Sequence, residues 1–269
     1  MVHPFGPDPV IMGIVNVTPD SFSDGGKFYS KNNAIGHGQL LAEQGATILD
    51  IGGESTRPGA QVIDPDEEIS RVVPVIEGLR GKAPFISIDT RNAKTMRAAL
   101  AAGANCINDV SGLTHDDEAM GVVAEANVPV FIMHSQGTPQ DMQKNPSYNN
   151  VVDDVYAFFE ERISACRTAR IETKNLVLDV GIGFGKTLEH NVLLLRNIKK
   201  FHDFGCKLLL GTSRKSFIAA LSNGEPPESR QAGSLASALW GLSQGVQIFR
   251  VHDVAETAQA FRVWQGIQA

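Results

Sequence analysis

Polar side chains recur in this chain at one kind of place, the residue or two that close a short apolar run. Asn16 follows Val10–Val15, Asp50 stands at the end of Ala46–Ile51, and Asp89 follows Pro84–Ile88. Asn108 and Asp109 follow Asn105–Ile107, His134 follows Val128–Met133, and Asp179 follows Leu176–Leu178. Ser213, Arg214 and Lys215 come after Lys207–Leu210, and Arg250, His252 and Asp253 close Val246–Val251. Two chemistries can be read from this set. Asp89, Asn108, Asp179 and Lys215 offer acceptors and donors to a flat heterocycle carrying several N–H groups. Arg57, Arg250 and His252 are cations able to neutralise phosphate oxygens, with arginine suited to two-point contact. The Ser213–Ser216 stretch is expected to open a helix, whose free N–H groups attract anions. Asn16 is a hard oxygen donor of the kind Mg²⁺ accepts. Structural roles compete with these: Asp89 as a helix cap, Arg214 as a carboxylate's partner, His252 as a satisfied imidazole. Asp109 is read as a cap or buried ion-pair partner first.

The elements that must position these residues alternate. The runs are apolar throughout rather than every second residue, which suits parallel strands covered on both faces. Amphipathic segments separate them, such as Ile69, Val72, Val73 and Ile76 at helical spacing, and Val192, Leu195, Ile198 and Lys199 on a mixed face. Asp64 is expected to cap the helix that Pro65 opens. Thr90 is expected to cap a helix from Arg91 to Ala102, which Gly103 ends. Eight strand–helix repeats read as a closed (β/α)8 barrel, a TIM barrel filling residues 1–269 as a single domain, with its active site at the C-terminal mouth. An open doubly wound sheet has the same alternation and remains the rival. Ser21–Ser30, Glu54–Asp64 and Gln136–Tyr148 are irregular and follow strands, so they are candidate active-site loops.

The chain has 269 residues, close to the ~250 of one such barrel. Its net charge of −6 and the lack of a Lys/Arg run exclude a nucleic-acid footprint, so an anionic substrate needs a local cationic cluster. Three cysteines without a C-x-x-C pair argue against a disulfide framework and for a reducing, cytoplasmic setting. Met1–Pro9 carries prolines and no apolar core of a signal peptide, and no run is long enough to span a bilayer. Gly181-Ile-Gly-Phe-Gly-Lys-Thr187 is neither a P-loop, since Val180 stands where the first glycine is needed, nor a dinucleotide fingerprint, since Lys186 replaces the last one. It reads as a tight strand-to-helix turn that lets a ligand come close. The histidines include no H-E-x-x-H, so a zinc site is unsupported.

Longer motifs carry a resemblance. Met12-Gly-Ile-Val-Asn-Val-Thr-Pro-Asp-Ser-Phe-Ser-Asp-Gly-Gly26 and Asp50-Ile-Gly-Gly-Glu-Ser-Thr-Arg-Pro-Gly59 resemble the first two signatures of the dihydropteroate synthase family. Ser87-Ile-Asp-Thr90, Ile107-Asn-Asp-Val110, Leu178-Asp179 with Gly181–Lys186, Ser213-Arg-Lys-Ser-Phe217 and Arg250-Val-His-Asp253 continue in the family's order, across about residues 10 to 265. The resemblance implies a homodimeric barrel using Mg²⁺ that condenses 6-hydroxymethyl-7,8-dihydropterin diphosphate with p-aminobenzoate. It implies that Asp89, Asn108, Asp179 and Lys215 hold the pterin with Phe184 beside it, and that Asn16 faces Mg²⁺ and diphosphate. It implies that Arg57, Arg250 and His252 bind phosphate. Thr56, Ser216 and the Ser213–Phe217 turn would contact p-aminobenzoate, with Phe22 and Pro58 on loops that close over it. Nucleic acid and membrane are not implied partners.

The chain departs from the pattern twice. Ser135 replaces a methionine that packs on the pterin, and Val180 replaces a proline, which puts pocket shape in question. A methyltetrahydrofolate-binding methyltransferase, a Schiff-base aldolase using Lys215 and a non-catalytic pterin-binding barrel are the other readings. The phosphate cluster argues against the first, and the place of Lys215 among Arg214 and serines argues against the second, whose lysine should be desolvated.

Overall fold

The computed structural model describes residues 5–6, 8–18, 26–55, 62–138 and 141–268, with the backbone alone at residues 26–30. Eight strands run β1 (Val10–Asn16), β2 (Ile48–Gly52), β3 (Phe85–Asp89), β4 (Cys106–Asp109), β5 (Val130–Met133), β6 (Leu176–Asp179), β7 (Lys207–Leu210) and β8 (Ile248–Val251). Between and after them lie α1 (Gly26–Glu43), α2 (Pro65–Leu79), α3 (Ala93–Ala102), α4 (Ala119–Ala126), α5 (Val151–Thr168), α6 (Leu188–Arg196), α7 (Ser216–Leu221), α8 (Gln231–Ser243) and α9 (Val254–Gln268). The strands are parallel and close in sequence order. Val10 pairs with Ile248 and Gly13 with Val251, so the first strand meets the last and the open-sheet rival is excluded.

Strand side chains alternate between two environments. Met12, Ile48, Cys106, Phe131, Val177, Leu209 and Ile248 fill the barrel's interior. Their neighbours Ile11, Leu49, Ile107, Ile132, Leu178, Leu208 and Phe249 pack outward against the helices. Both sets are apolar, which is why the sequence shows no alternation until the strand ends. At the C-terminal ends the interior set turns polar, two residues on from its apolar members: Asp50, Asn108, Asp179 and Arg250. The strands extend through this change. Asn16, Asp89, Asp109 and Asp179 are each the last residue of a strand rather than the first of a loop.

Local expectations meet the structure unevenly. The Asp64 carboxylate accepts from the Asp66 amide at 2.8 Å and caps α2 behind Pro65, as expected. Thr90 does not cap α3. That helix starts two residues later than expected, and its Ala93 amide donates to Asp116 at 2.8 Å. The Thr90 hydroxyl instead donates to Glu68 at 2.9 Å, because that buried α2 carboxylate gathers Thr90, Asn92 and Thr95 together. The α6 helix ends at Arg196, and Ile198 belongs to a following 3-10 turn. All three cysteines are buried and free. Among the described residues no helix is long and apolar enough to cross a membrane.

Candidate active site

The interior polar layer forms one connected group. Arg250 bonds Asp50 through Nε at 2.6 Å and Asp89 through Nη2 at 2.7 Å. The same Asp50 oxygen accepts from the Asn108 amide nitrogen at 3.1 Å. Across the mouth, a Cβ placed on Gly211 would lie within 4.0 Å of Arg250 Cβ, Asp179 Oδ2 and Lys215 Nζ, so those three side chains converge over one glycine. Lys215 donates to the Ile182 carbonyl and sits 4.5 Å from the centre of the Phe184 ring, a cation–π contact. The structure therefore brings together Asp89, Asn108, Asp179, Lys215, Phe184 and Arg250.

Burial sets the charge states here. It pushes the Asp89 carboxyl up to about 8, with Arg250 pulling the other way and Asp50 adding to the rise. It also raises Asp179, against the attraction of Lys215. Burial presses Lys215 down to about 8, again opposed by Asp179. Arg250 is raised overall: burial works against its charge, and Asp50 and Asp89 more than offset it. Arg250 is thus a fixed cation held by two carboxylates, not one presented to phosphate alone. Only part of its N–H fork is used in these bonds.

The other expected residues fall around this group. His252 Nδ1 lies 3.0 Å from the Ser213 hydroxyl, which joins the ends of β7 and β8. Asn16 ends β1 half-buried opposite Gly52. Ser216 is exposed and is the first residue of α7. Arg214 takes its structural reading, a two-point ion pair with Asp253 at 3.1 and 2.5 Å. Thr56 and Arg57, with Phe22 and Pro58, lie outside the described residues. Among the described residues there is no group of three or more His, Cys, Asp or Glu side chains placed to hold a metal. Asn16 offers one neutral, hard oxygen, which fits Mg²⁺ that takes its other ligands from substrate phosphate and water rather than from a protein cage.

Residues one position along the strands do something else. Asp109, next to Asn108, accepts from the Ser111 amide at 2.7 Å, the Ser111 hydroxyl at 2.6 Å and the Leu113 amide at 3.2 Å. Its role is structural, but it ties a turn and is neither the helix cap nor the ion-pair partner expected, since α4 begins only at Ala119. His134, next to Met133, takes Lys186 Nζ on Nδ1 at 3.0 Å, and Nζ also donates to the His134 and Phe184 carbonyls. Burial and that ammonium push His134 down to about 3, so it is a neutral acceptor. Burial likewise lowers Lys186 to about 7.

The Gly181–Thr187 turn is tight for a reason other than ligand approach. A Cβ on Gly181 would overlap the His134 carbonyl and one on Gly185 the Gln136 carbonyl, so protein backbone fills the space. Gln143 and Tyr148 then pin the Gln136–Tyr148 segment onto the turn, bonding the Gly183 and Gly185 carbonyls at 2.7 and 2.8 Å. Val180 is buried in the outer core, so this departure does not line the mouth. Ser135 is half-buried, and its hydroxyl donates to the Val110 carbonyl at 3.1 Å. Asp50 and Gly211 were not assigned site roles from the sequence. The period-2 step from Ile48 to Asp50 is the signal that marks the acid as interior.

With this geometry in view, the comparisons with known proteins agree. Residues 12–252 match the family described as pterin binding enzyme. The dihydropteroate synthase of Haemophilus influenzae is 46% identical over 259 residues, 96% of this chain and 94% of that one. Solved structures of the Xanthomonas albilineans dihydropteroate synthase superimpose closely. The one with 4-aminobenzoic acid gives a TM-score of 0.92 at 47% identity, covering 98% of this chain and 94% of that chain. The one with 7,8-dihydropteroate gives 0.89 at 44% identity, covering 98% and 95%. The chain belongs to the pterin-binding enzyme family, among the dihydropteroate synthases.

Proposed function

We propose that this chain condenses 6-hydroxymethyl-7,8-dihydropterin diphosphate with p-aminobenzoate, giving 7,8-dihydropteroate and diphosphate in folate biosynthesis. The observation that carries the reading is the interior polar layer of Asp50, Asp89, Asn108, Asp179, Lys215 and Arg250 at the mouth of a barrel of this family. The Xanthomonas albilineans relative, solved with 4-aminobenzoic acid and with 7,8-dihydropteroate, supports it.

In this reading Asp89, Asn108, Asp179 and Lys215 hold the pterin ring with Phe184 at its edge. Arg250, His252 and Arg57 take the charge that grows on the departing diphosphate. Arg250 stands at the junction, bonded to ring-side Asp89 while keeping donors for phosphate. The C–O bond from the pterin methylene to diphosphate breaks, the arylamine nitrogen forms the new C–N bond, and that nitrogen loses a proton. An arylamine is neutral at pH 7, so no strong base is needed to free its lone pair. Thr56 and Ser216 contact p-aminobenzoate. Asn16 would hold Mg²⁺, which when bound would supply charge neutralisation for the leaving group. The working unit is a cytoplasmic homodimer of chains that each form one barrel domain, 1–269.

The test is diphosphate release and dihydropteroate formation with Mg²⁺, with and without p-aminobenzoate. Product that requires both substrates is the expected result. Diphosphate released without coupling would mean the acceptor is wrong. Pterin binding with no turnover would return the methyltransferase or non-catalytic barrel.

A further inference from the structure

Asp50 belongs to the polar layer but is given no role of its own above, yet it is fully buried in the middle of that layer. Its position explains why it cannot reach the ring itself. Asp50 pairs with Ser87 in the β2–β3 register, whereas Asp89 pairs with Gly52, so Asp50 lies two residues deeper than Asp89. Along a strand that is about 7 Å. Asn108 is level with Asp89. Asp50 is therefore the floor beneath the acceptors.

One oxygen of this carboxylate does two jobs. Oδ2 accepts from Arg250 Nε at 2.6 Å and from Asn108 Nδ2 at 3.1 Å. A carboxylate can only accept, so it fixes which way the Asn108 amide faces: nitrogen down, oxygen left for the ligand. The other oxygen, Oδ1, has no hydrogen-bond partner, and neither has the buried Ser87 hydroxyl beside it. A stability-optimised floor would not leave two polar atoms unsatisfied. The negative charge at this depth is balanced by Arg250, the group that meets the leaving diphosphate in the proposed reaction.

We propose that Asp50 is a positioning residue that couples the pterin site to Arg250. It holds the guanidinium across the mouth through the same oxygen that Asn108 grips, so seating the ring on Asn108 also fixes the cation. This rests on the proposed synthase reaction. With an amide at position 50 the side-chain oxygen can still accept from Nε, but the negative charge that holds the guanidinium there is gone, and Arg250 is drawn to Asp89, the acceptor that the ring needs.

The experiment compares wild type, Asp50→Asn, Arg250→Gln and the double variant by steady-state kinetics in both substrates, with melting temperatures. Asp50→Asn is isosteric. Its kcat/KM for the pterin diphosphate should fall about 10- to 100-fold, the scale of a misplaced catalytic group. Its KM for p-aminobenzoate should stay within about twofold, which a loosened fold would not achieve. The double variant should be no worse than Arg250→Gln within about twofold, because Asp50 acts through Arg250. Asp50→Asn kinetics within about twofold of wild type would overturn the proposal, and so would losses that multiply in the double variant. If Asp50→Asn does not fold, the double variant, with both charges removed, still decides by the same comparison with Arg250→Gln. If neither folds, Asp50 is a folding residue and the proposal falls. Absence of dihydropteroate from the wild type would instead refute the synthase reading.

Discussion

Asn108 and Asp109 are consecutive, both buried, and both at the end of β4, yet they belong to different machines. Asn108 faces the barrel's interior and joins Asp50, Asp89, Asp179 and Arg250. Asp109 faces the helices and ties down the turn at Ser111 and Leu113. The same split separates Asp179 from the His134–Lys186 pair. Both places hold titratable groups moved far from their usual range, upward at Asp89 and downward at His134 and Lys186. A shifted pKa alone would nominate either as an active site. What distinguishes them is the face of the strand. The inner group converges over Gly211 at the strand ends, and the outer group is closed off by backbone carbonyls.

The widest test of this division sets Asp179→Ala against Asp109→Ala. Losing Asp179 removes an acceptor for the ring and the attraction that steadies Lys215. The kcat/KM for the pterin diphosphate should fall about 100-fold, from hydrogen bonds to a charged group worth about 1.5–3 kcal/mol each. Stability should fall less than for Asp109, since Asp179 accepts from one backbone amide, Gly181 at 2.8 Å, where Asp109 accepts from two. Asp109→Ala should do the reverse. It strands two backbone amides and should cost about 2–3 kcal/mol in denaturant unfolding, with kcat within a few-fold. Equal damage to turnover from both would mean that strand face does not sort the roles.

A second test uses pH. Lys215 titrates near 8 and is charged below that. As pH rises through about 8 the ammonium loses its proton and its attraction to Asp179, so kcat/KM should decline about tenfold on the alkaline side. Lys215→Arg keeps its charge throughout and should be slower at neutral pH yet lack this decline. Lys186, lowered to about 7 on the outer face, should leave no step in the profile. A step near 7 that Lys186→Met abolishes would move that residue into the chemistry.

Gly211 sharpens the inner boundary. A Cβ there meets nothing closer than 3.9 Å, and its backbone is not in the left-handed region, so Gly211→Ala should fold with an unchanged melting temperature. The added methyl would stand between Asp179, Lys215 and Arg250. Pterin affinity should drop about tenfold, in line with one methylene's worth of misfit in a pocket. Unchanged affinity would show that the ring does not sit over this glycine.

Much of this was legible from the sequence because parallel strands write their ends plainly: eight apolar runs, each closed by a polar residue. The sequence did not reveal which of two adjacent polar residues faces inward. The apolar parts of β1–β8 are buried on both sides, so there is no alternation from which to count. Asp50 stands between Leu49 and Ile51, and its inward face shows only once Ile48 is known to lie inside the barrel. Thr90 misled because its hydroxyl serves Glu68, a partner 22 residues away that capping rules do not consider. The glycines of Gly181–Gly185 pointed to a close approach, but only the fold shows that the approaching atoms are carbonyls of the segment after β5.

The smallest expected effect belongs to Ser135, which stands where the resemblance leads one to expect methionine. By alternation from Phe131 and Met133 this side chain lies on the inner set, but its hydroxyl is turned to the Val110 carbonyl and stitches the ends of β4 and β5 together. Ser135→Ala should lose about 0.5–1.5 kcal/mol of stability and change the pterin KM less than threefold. Ser135→Met gives up the same bond but adds apolar surface where the resemblance implies a methionine packed on the ring. If residue 135 reaches the ring, the methionine variant should show a pterin KM below that of the alanine variant while the two melt alike. If the two variants share one KM, residue 135 serves the β4–β5 junction alone, and the inner face ends at Met133.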